Sequence, residues 1–302
     1  MRNINYLILL PLPKPLSAVR SRLAPPRPPG RWPWAAWAVV ALLLALWAGA
    51  WYYSRHRVQL NRYARRAWAA LTQRGLTGRE KTPLLGGYAV HGIDVSAYQG
   101  RIDWPEVARN RVHFAFIKAS EGATLRDPRF ARNWHQARAA GILCGAYHYF
   151  QPNRDGRAQA DNFAAAVPLR PGDLPPVLDV EAANFHDVAV MRREVARWLR
   201  LIEARYGVRP ILYSNHGYYT RHLAGHFDDY PLWLAHYEVP RPALPAARWI
   251  IWQHSDEAYV PGIRGTVDFN VFQGSYAALQ ALRIPAARPA AVPQKTARPP
   301  AR

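Results

Sequence analysis

The sequence is poor in cysteine. Cys144 is the only cysteine among 302 residues, which excludes a disulfide framework and any zinc site built from several thiolates. It lies in the apolar run 142–146, so we expect a small buried hydrophobic side chain rather than a nucleophile. The histidines are scattered and give no metal-ligand pattern. We therefore expect neither a metal nor a cofactor.

Acidic residues are also scarce, with 20 Asp and Glu against 40 Lys and Arg, and the formal net charge is +20 at pH 7. A strongly basic chain favours an anionic partner, such as nucleic acid, anionic lipid or an acidic cell-wall polymer. Residues 1–31 contain no acidic residue, and basic residues also collect just after residue 53 and in residues 285–302. Because the excess lies at the ends of the chain, nucleic-acid binding is the weakest of these interpretations.

Charged residues are absent from residues 32–53, a stretch long enough to cross a bilayer as a helix. Aromatic residues stand at both of its ends, as at the two interfaces of a membrane: Trp32, Trp34, Trp37, Trp51, Tyr52 and Tyr53. A cleaved signal peptide is the alternative, because Ala48-Gly49-Ala50 has the small-x-small form of a cleavage site. The stretch is long for such a peptide, so we expect a retained anchor. Basic residues before it favour a cytoplasmic N-terminus, although others follow it.

Five segments are expected along the chain. Residues 1–31 form a disordered basic N-terminus, 32–53 a transmembrane helix or signal anchor, and 54–85 a basic juxtamembrane stalk. The stalk could equally lie on anionic headgroups or stay solvated. Gly75, Gly78 and Pro83 mark the boundary to a globular domain over 86–284. Residues 285–302 are rich in Ala, Pro and Arg and read as a disordered tail.

Within 86–284, short apolar or aromatic runs alternate with helical stretches. The predicted strands are 90–95, 114–118, 142–150, 176–179, 211–213, 232–235 and 250–253. The predicted helices include 127–140, 157–167 and 188–206. Alternation of this kind favours a parallel sheet, and seven or eight strands in about 200 residues suggest a compact α/β fold, a single irregular β/α barrel.

Acidic residues recur at or just after the ends of predicted strands, namely Asp94, Glu121, Asp179 and Glu181, and Asp268 lies in the run 265–270. Asp179 and Glu181 follow the apolar run 175–178, and alternation along a strand would point both side chains the same way. In a β/α barrel, catalytic groups gather at the carboxyl ends of strands. A pair of carboxylates there could divide the roles of acid and base that glycosidic bond hydrolysis needs. Alternatively, one caps a helix and the other pairs with an arginine.

Several ordered blocks resemble glycoside hydrolase family 25, the Chalaropsis-type lysozymes. The blocks are Gly92-Ile93-Asp94-Val95-Ser96, Gln99-Gly100, Ile102-Asp103-Trp104, residues 116–122, Gly145-Ala146-Tyr147-His148-Tyr149-Phe150, Asp179-Val180-Glu181, residues 231–237, Trp252-Gln253-His254-Ser255 and Val267-Asp268-Phe269-Asn270. Each is weak alone, but their order is specific. The resemblance covers nearly two thirds of the chain and makes 86–284 the expected catalytic domain.

The resemblance implies a muramidase, which hydrolyses the β-1,4 bond from N-acetylmuramic acid to N-acetylglucosamine in peptidoglycan. By this analogy Glu181 is the general acid, and Asp179 orients the N-acetyl group of the substrate, whose carbonyl oxygen could attack the anomeric carbon. Asp94 and Asp268 would shape the site and complement an oxocarbenium-like transition state, although both could instead cap loops.

Aromatic residues of the same blocks are candidates for sugar contacts: Tyr147, Tyr213, Trp233 and Tyr237. Each could equally belong to the core. His148 and His236 are expected to be core or rim residues rather than catalysts. Lys118 and Glu121 are expected to pair at the rim.

Three functions follow from these observations. The first is a membrane-anchored muramidase that acts on peptidoglycan glycan strands outside the cytoplasm, in the periplasm or at the cell surface, or a secreted one if the apolar segment is cleaved. The second is a non-catalytic wall-binding protein with the same fold, against which the intact Asp179 and Glu181 speak. The third, nucleic-acid binding, rests on charge alone.

Overall fold

The computed structural model describes residues 37–49, residue 51 and residues 84–286. The chain divides into two units, Met1–Ser54 and Arg55–Arg302. In the first unit, residues 37–49 form helix α1. Among the described residues, no helix combines the length and the apolarity needed to cross a membrane. Several predicted segments lie wholly or partly outside the described residues: all of 1–31, the ends of 32–53, most of the stalk 54–85 and most of the tail 285–302.

The second unit is built around a closed barrel of eight strands. The described residues of this unit form nine strands, of which all but β3 belong to the barrel: β1 (Val90–Val95), β2 (Phe114–Glu121), β3 (Leu125–Arg126), β4 (Leu143–Tyr149), β5 (Val177–Asp179), β6 (Ile211–Asn215), β7 (Leu232–Ala235), β8 (Ile251–Ala258) and β9 (Val267–Phe272). Around the barrel they run in the order β1-β2-β4-β5-β6-β7-β8-β9, and β9 pairs back with β1. The short strand β3 only adds to β2 as a hairpin. This confirms the predicted β/α barrel.

The sheet is mixed, whereas the sequence predicts a parallel one. The first seven barrel strands run parallel, and β9 runs antiparallel to both β8 and β1. Strand β9 is not among the predicted strands. It follows β8 after only eight residues, 259–266, and no helix lies between the two. A connection this short cannot make a parallel crossover, so β9 returns alongside its predecessor.

Helices cover the outside of the barrel. They are α2 (Trp104–Arg109), α3 (Phe130–Ala139), α4 (Gly156–Ala166), α5 (Val188–Tyr206), α6 (His216–Tyr218) and α7 (Tyr276–Ala281). Side-chain oxygens of Asp103, Asp155, Asp187 and Ser275 accept backbone N–H bonds at the first turns of α2, α4, α5 and α7. Helix α5 has the predicted bounds and ends at Gly207, whose φ of 70° is a left-handed cap that glycine adopts without strain.

The barrel interior is filled by an aromatic layer, here called the aromatic floor: Phe114, Phe116, Tyr213 and Trp233. The ring of Trp233 stacks on Phe116 and meets Tyr213 edge-on, each at a centroid distance of 4.7 Å. Two glycines make room for these rings. A Cβ atom on Gly92 or on Gly145 would lie 2.4 Å from the ring of Phe114 or Phe116, respectively. The close packing of these rings therefore requires glycine at positions 92 and 145.

A larger core lies between the barrel and its helices. Alternate strand residues such as Ile93 and Leu212 point outward into it, and α5 residues such as Trp198 belong to the same cluster. Cys144 belongs to this core, and burial raises the pKa of its thiol. This confirms the expectation that Cys144 is a small buried hydrophobic residue.

Candidate active site at the mouth of the barrel

Four of the predicted acidic residues lie at one end of the barrel. Asp94 is near the carboxyl end of β1, Asp179 is the last residue of β5, and Glu181 follows two residues later. Asp268 is the second residue of β9. Because β9 runs antiparallel, its beginning lies at the end of the barrel where the parallel strands finish, and Asp268 is directly opposite Asp94 in the pairing. The reversed strand thus brings its carboxylate to the same mouth.

Asp94 is buried, at 8% exposure, and two side-chain amides hold it. Its Oδ2 atom accepts hydrogen bonds from Gln253 Nε2 at 2.7 Å and from Asn270 Nδ2 at 2.8 Å. These partners come from β8 and β9, the strands that follow one another around the barrel next to β1. Two N–H donors offset the cost of burying the carboxylate and fix its orientation toward the mouth.

The two amides are themselves oriented by aromatic residues of the barrel. Gln253 Oε1 accepts hydrogen bonds from the hydroxyls of Tyr213, at 2.8 Å, and Tyr237. Asn270 Oδ1 accepts one from Trp233 Nε1 at 2.8 Å. Each amide therefore presents its nitrogen to Asp94. A continuous hydrogen-bond network runs from the aromatic floor to the carboxylate.

Tyr147 marks the point where the carboxylates converge. It is partly buried on β4, and its pKa is raised well above its ordinary value, first by burial and then by the negative charges of Asp94, Asp179 and Asp268, in that order. The strand pairing agrees with this, since Asp268 lies opposite Asp94 and Asp179 ends the strand that pairs with β4. Tyr147 consequently keeps its proton and remains a hydrogen-bond donor at the centre of the acidic mouth.

Glu181 does not lie on the strand, contrary to the sequence expectation that it continues the alternation of β5. The strand ends at Asp179, whose carbonyl accepts from Phe150 N at 2.9 Å, and Val180 N then donates to Tyr213 O at 2.9 Å. Beyond this point the chain leaves the sheet. Asp179 is buried whereas Glu181 is partly exposed, so the two carboxyl groups have different surroundings. Different surroundings are what separate acid from base roles between neighbouring carboxyl groups.

Tyr218 on α6 is the aromatic neighbour of Glu181. Burial raises the pKa of Tyr218, and the negative charge of Glu181 raises it further. The Tyr218 hydroxyl donates to the carbonyl of Ala182 at 3.2 Å. The sequence interpretation did not single out Tyr218, nor the amides of Gln253 and Asn270. Asn270 could have been found from its spacing: it lies two residues after Asp268 on one strand, so both side chains point to the same face of the barrel.

The predicted sugar-contact residues separate into two groups. Tyr147 and Tyr237 are partly exposed at the mouth. Tyr213 and Trp233 are 5% and 2% exposed and form part of the aromatic floor. Contact with a sugar stays a prediction for all four, and burial of Tyr213 and Trp233 favours a supporting position beneath the cleft for these two.

Lys118 and Glu121 form the expected rim pair on β2. Lys118 Nζ is 2.6 Å from Glu121 Oε2 and lies 4.9 Å from the ring centroid of Tyr149. Glu121 Oε1 also accepts from Gln151 Nε2 at 2.9 Å. The pair therefore links β2 to the chain just after β4 at the edge of the mouth.

His148 and His236 differ in how deeply they are buried. His148 is fully buried between β4 and the helices, bonded to Ser120 Oγ at 2.8 Å and Gln159 Oε1 at 3.2 Å, as expected of a core residue. His236 is partly exposed and stacks on His216 at 4.2 Å. Burial lowers the pKa of His236, and His216 lowers it further.

His148 predicts a specific acid sensitivity of folding. Burial lowers the pKa of His148 to about 3, below its ordinary value of 6.5. The unfolded chain then binds a proton that the folded chain excludes, so stability falls as the pH drops from about 6.5 toward 3. The free energy of unfolding should fall by about 1.4 kcal/mol per pH unit from this residue. The free energy of unfolding is measured by urea titration at several pH values. Replacement of His148 by Gln should reduce its slope against pH by that amount. A slope unchanged by the substitution would contradict this origin.

Within residues 84–286 and the described part of the N-terminal unit, no group of three or more His, Cys, Asp or Glu side chains is arranged to hold a metal ion.

The chain is similar to known proteins over its barrel domain. A family model described as glycosyl hydrolases family 25 matches residues 93–263, which include Asp94, Asp179 and Glu181. The chain is similar to the uncharacterized protein YegX of Escherichia coli (strain K12), with 48% identity over 199 residues that cover 64% of this chain and 73% of that protein. It is 38% identical to lysozyme M1 of Streptomyces globisporus over 208 residues, which cover 64% of this chain and 71% of that protein. A crystal structure of the lysozyme from Streptomyces coelicolor matches with a TM-score of 0.61 and 36% identity, covering 65% of this chain and 98% of that one.

Proposed function

Because this chain belongs to glycosyl hydrolases family 25, we infer that it is a lysozyme-type muramidase that hydrolyses peptidoglycan. The bond cut is the β-1,4 bond between N-acetylmuramic acid and N-acetylglucosamine. The observation that carries this function is the convergence of Asp94, Asp179 and Asp268 around Tyr147 at the mouth of the barrel, with Glu181 immediately beyond β5. Carboxyl groups gathered at the carboxyl ends of barrel strands are the arrangement that glycoside hydrolysis requires.

In the proposed mechanism Glu181 is the general acid. It protonates the glycosidic oxygen as the bond to the anomeric carbon breaks, and the leaving N-acetylglucosamine departs as an alcohol. Its position off the strand and at the partly exposed edge of the mouth supports this role, because the acid must reach a substrate that lies across the opening. The same carboxylate then accepts a proton from the attacking water.

Asp179 is proposed to orient the N-acetyl group of the muramic acid residue. The acetamide oxygen attacks the anomeric carbon from the side opposite to the leaving group, and a carboxylate beside the acetamide nitrogen stabilises the positive charge that forms. The burial of Asp179 next to the phenol of Tyr147 supports this assignment. A buried carboxylate interacts more strongly with a developing charge than an exposed one does.

Asp94 and Asp268 are proposed to supply negative potential beneath the sugar at which the oxocarbenium-like transition state forms. The amides of Gln253 and Asn270 prevent Asp94 from turning as that charge develops. A carboxylate fixed before the reaction need not reorganise during it, which lowers the barrier.

Turnover distinguishes this function from binding alone. The full chain, in detergent, is incubated with purified peptidoglycan, and soluble fragments are measured over time. A muramidase releases fragments continuously at an enzyme concentration far below that of substrate. A wall-binding protein sediments with the polymer and releases none, and that result would favour the second function.

We also propose that residues 32–53 anchor the chain in a membrane, with the domain over 86–284 outside the cytoplasm. The uncharged length of the segment and its aromatic ends support this proposal. So do the large apolar side chains that α1 exposes, such as Leu42, Leu43 and Trp47. An anchor would hold the enzyme close to the polymer that it cuts.

The anchor predicts how the protein partitions. The full chain should stay with membranes after washing with alkaline carbonate and should be released by detergent, whereas a chain without residues 1–53 should be soluble. Amino-terminal sequencing of the mature protein supplies the control. A soluble mature protein that begins just after Ala50 would show a cleaved signal instead.

A further inference from the structure

We propose that Ser214 and Tyr218 are positioning residues that hold Glu181 at the mouth of the barrel through the two carbonyl groups flanking it. The proposal deepens the proposed function and rests on Glu181 being the general acid. Neither residue was predicted from the sequence, and both belong to the β/α unit that follows β5, at the β6–α6 junction.

Glu181 needs such support because the sheet does not provide it. Strand β5 is three residues long and ends at Asp179, two residues before the acid. A residue beyond the last ladder hydrogen bond can change its backbone angles unless other groups hold the chain. A general acid must stay within hydrogen-bond reach of the glycosidic oxygen, and a misplacement of about 1 Å can cost on the order of 100-fold in rate.

Two hydroxyl groups hold the chain on either side of Glu181. Ser214 Oγ donates to the carbonyl of Val180 at 2.7 Å, and the Tyr218 hydroxyl donates to the carbonyl of Ala182 at 3.2 Å. Ser214 is fully buried, and Tyr218 is 5% exposed. Together with the bond from Val180 N to Tyr213 O, three hydrogen bonds tie residues 180–182 to the next barrel unit.

The donors are themselves fixed. Ser214 lies within strand β6, whose neighbours on both sides are barrel strands. Tyr218 N donates to Asn215 Oδ1 at 2.9 Å, which caps α6. The ring of Tyr218 meets Phe185 edge-on at 6.2 Å and His222 at 4.9 Å. A site held by residues whose own rotamers are locked keeps its geometry through the reaction.

Tyr218 also lies close enough to Glu181 to feel its charge. The Glu181 carboxylate raises the pKa of Tyr218 beyond the effect of burial, so the phenol keeps its proton and continues to donate to Ala182. Tyr218 therefore lies near the Glu181 carboxylate while its hydroxyl holds the main chain at Ala182.

The test removes one hydroxyl at a time. We expect Tyr218→Phe and Ser214→Ala to lower kcat roughly 10-fold each, with KM within about twofold, because the acid is misplaced while sugar binding is kept. Ser214→Thr, which retains a hydroxyl, should recover much of the loss.

Tyr206→Phe is the matched control. The Tyr206 hydroxyl donates to Val167 O at 3.1 Å on the outside of the barrel, so its removal costs one equivalent hydrogen bond away from the acid. Thermal unfolding of all variants checks that each is folded. A Tyr218→Phe variant with the same kcat and KM as Tyr206→Phe would overturn the proposal.

A double-mutant cycle separates this proposal from the proposed function. If Tyr218 acts through Glu181, Tyr218→Phe should lower the residual rate by less than about twofold when Glu181 is already Gln. An equal loss in both backgrounds would show that Tyr218 acts elsewhere and would overturn the positioning role alone. A fully active Glu181→Gln variant would instead remove the acid role, and the positioning proposal with it.

Discussion

Replacement of Glu181 by Gln is expected to lower kcat by about 10²–10⁴-fold, the typical contribution of a positioned general acid. Gln has nearly the same shape as Glu but cannot donate a proton to the glycosidic oxygen. Glu181 is partly exposed, and its flanking carbonyls keep their bonds to Ser214 and Tyr218, so the fold should be preserved. The measurement is the rate of release of soluble fragments from peptidoglycan, together with the temperature of unfolding.

Glu203→Gln provides the control for this substitution. Glu203 lies on α5, where its carboxylate is 3.5 Å from Arg209 on the surface. Loss of an exposed ion pair costs less than about 1 kcal/mol, and activity should remain. Comparable activity in the two variants would refute the assignment of Glu181 as the acid.

Replacement of Gly145 by Ala is expected to cost about 3 kcal/mol or more of folding stability, at the upper end for overpacked cores. An added Cβ would lie 2.4 Å from Phe116 Cε1 and 3.1 Å from Leu174 Cβ. Neither neighbour can move easily, because Phe116 is fully buried and stacks on Trp233. For a domain of about 200 residues, the melting temperature should fall by roughly 6–12 °C.

The same substitution should reduce activity beyond its effect on folding. A shift of Phe116 would displace Trp233, whose N–H bond orients Asn270 and through it Asp94. Gly86→Ala is the control, since no atom lies within 4 Å of the added Cβ. Its stability should change by less than about 0.5 kcal/mol. A Gly145→Ala variant as stable as Gly86→Ala would contradict the packing of the aromatic floor.

Local patterns were enough to predict much of the fold. Strands β1 and β7 and helix α5 have the predicted bounds, because each carries a strong periodic or continuous apolar signal. The antiparallel direction of β9 was not predicted, because it depends on the short connection from β8 rather than on the residues of β9. The reversal of one strand in a barrel is a property of the chain path, which local periodicity does not contain.

The acidic residues of the candidate site were also predicted, whereas their supports were not. Asp94 is held by Gln253 and Asn270, which are 159 and 176 residues away along the chain. Hydrogen bonds at such separations follow from closure of the barrel and have no local signature. The predicted strand 176–179 ends where β5 ends, at Asp179, but alternation alone does not show that Glu181 already lies beyond the sheet.

The burial of Trp233 and Tyr213 shows that an aromatic residue type alone does not identify a sugar-contact residue. Both residues have rings that could stack on sugars, yet both lie in the barrel interior with their polar atoms bonded to Asn270 and Gln253. Inward positions on strands include both the floor of the barrel and its mouth. Whether an inward residue lies in the floor or at the mouth depends on its position along the strand relative to the neighbouring strands, and this position is set by register.

The most direct test of muramidase activity is the identity of the reducing end that the enzyme creates. Purified peptidoglycan is digested with the full chain, the products are reduced with borohydride, and mass spectrometry identifies the sugar that gains two hydrogens. The muramidase assignment predicts reduced N-acetylmuramic acid, formed by the wild-type chain and about 10²–10⁴-fold more slowly by Glu181→Gln. Reduced N-acetylglucosamine, or intact polymer that the protein binds without cleaving, would contradict it.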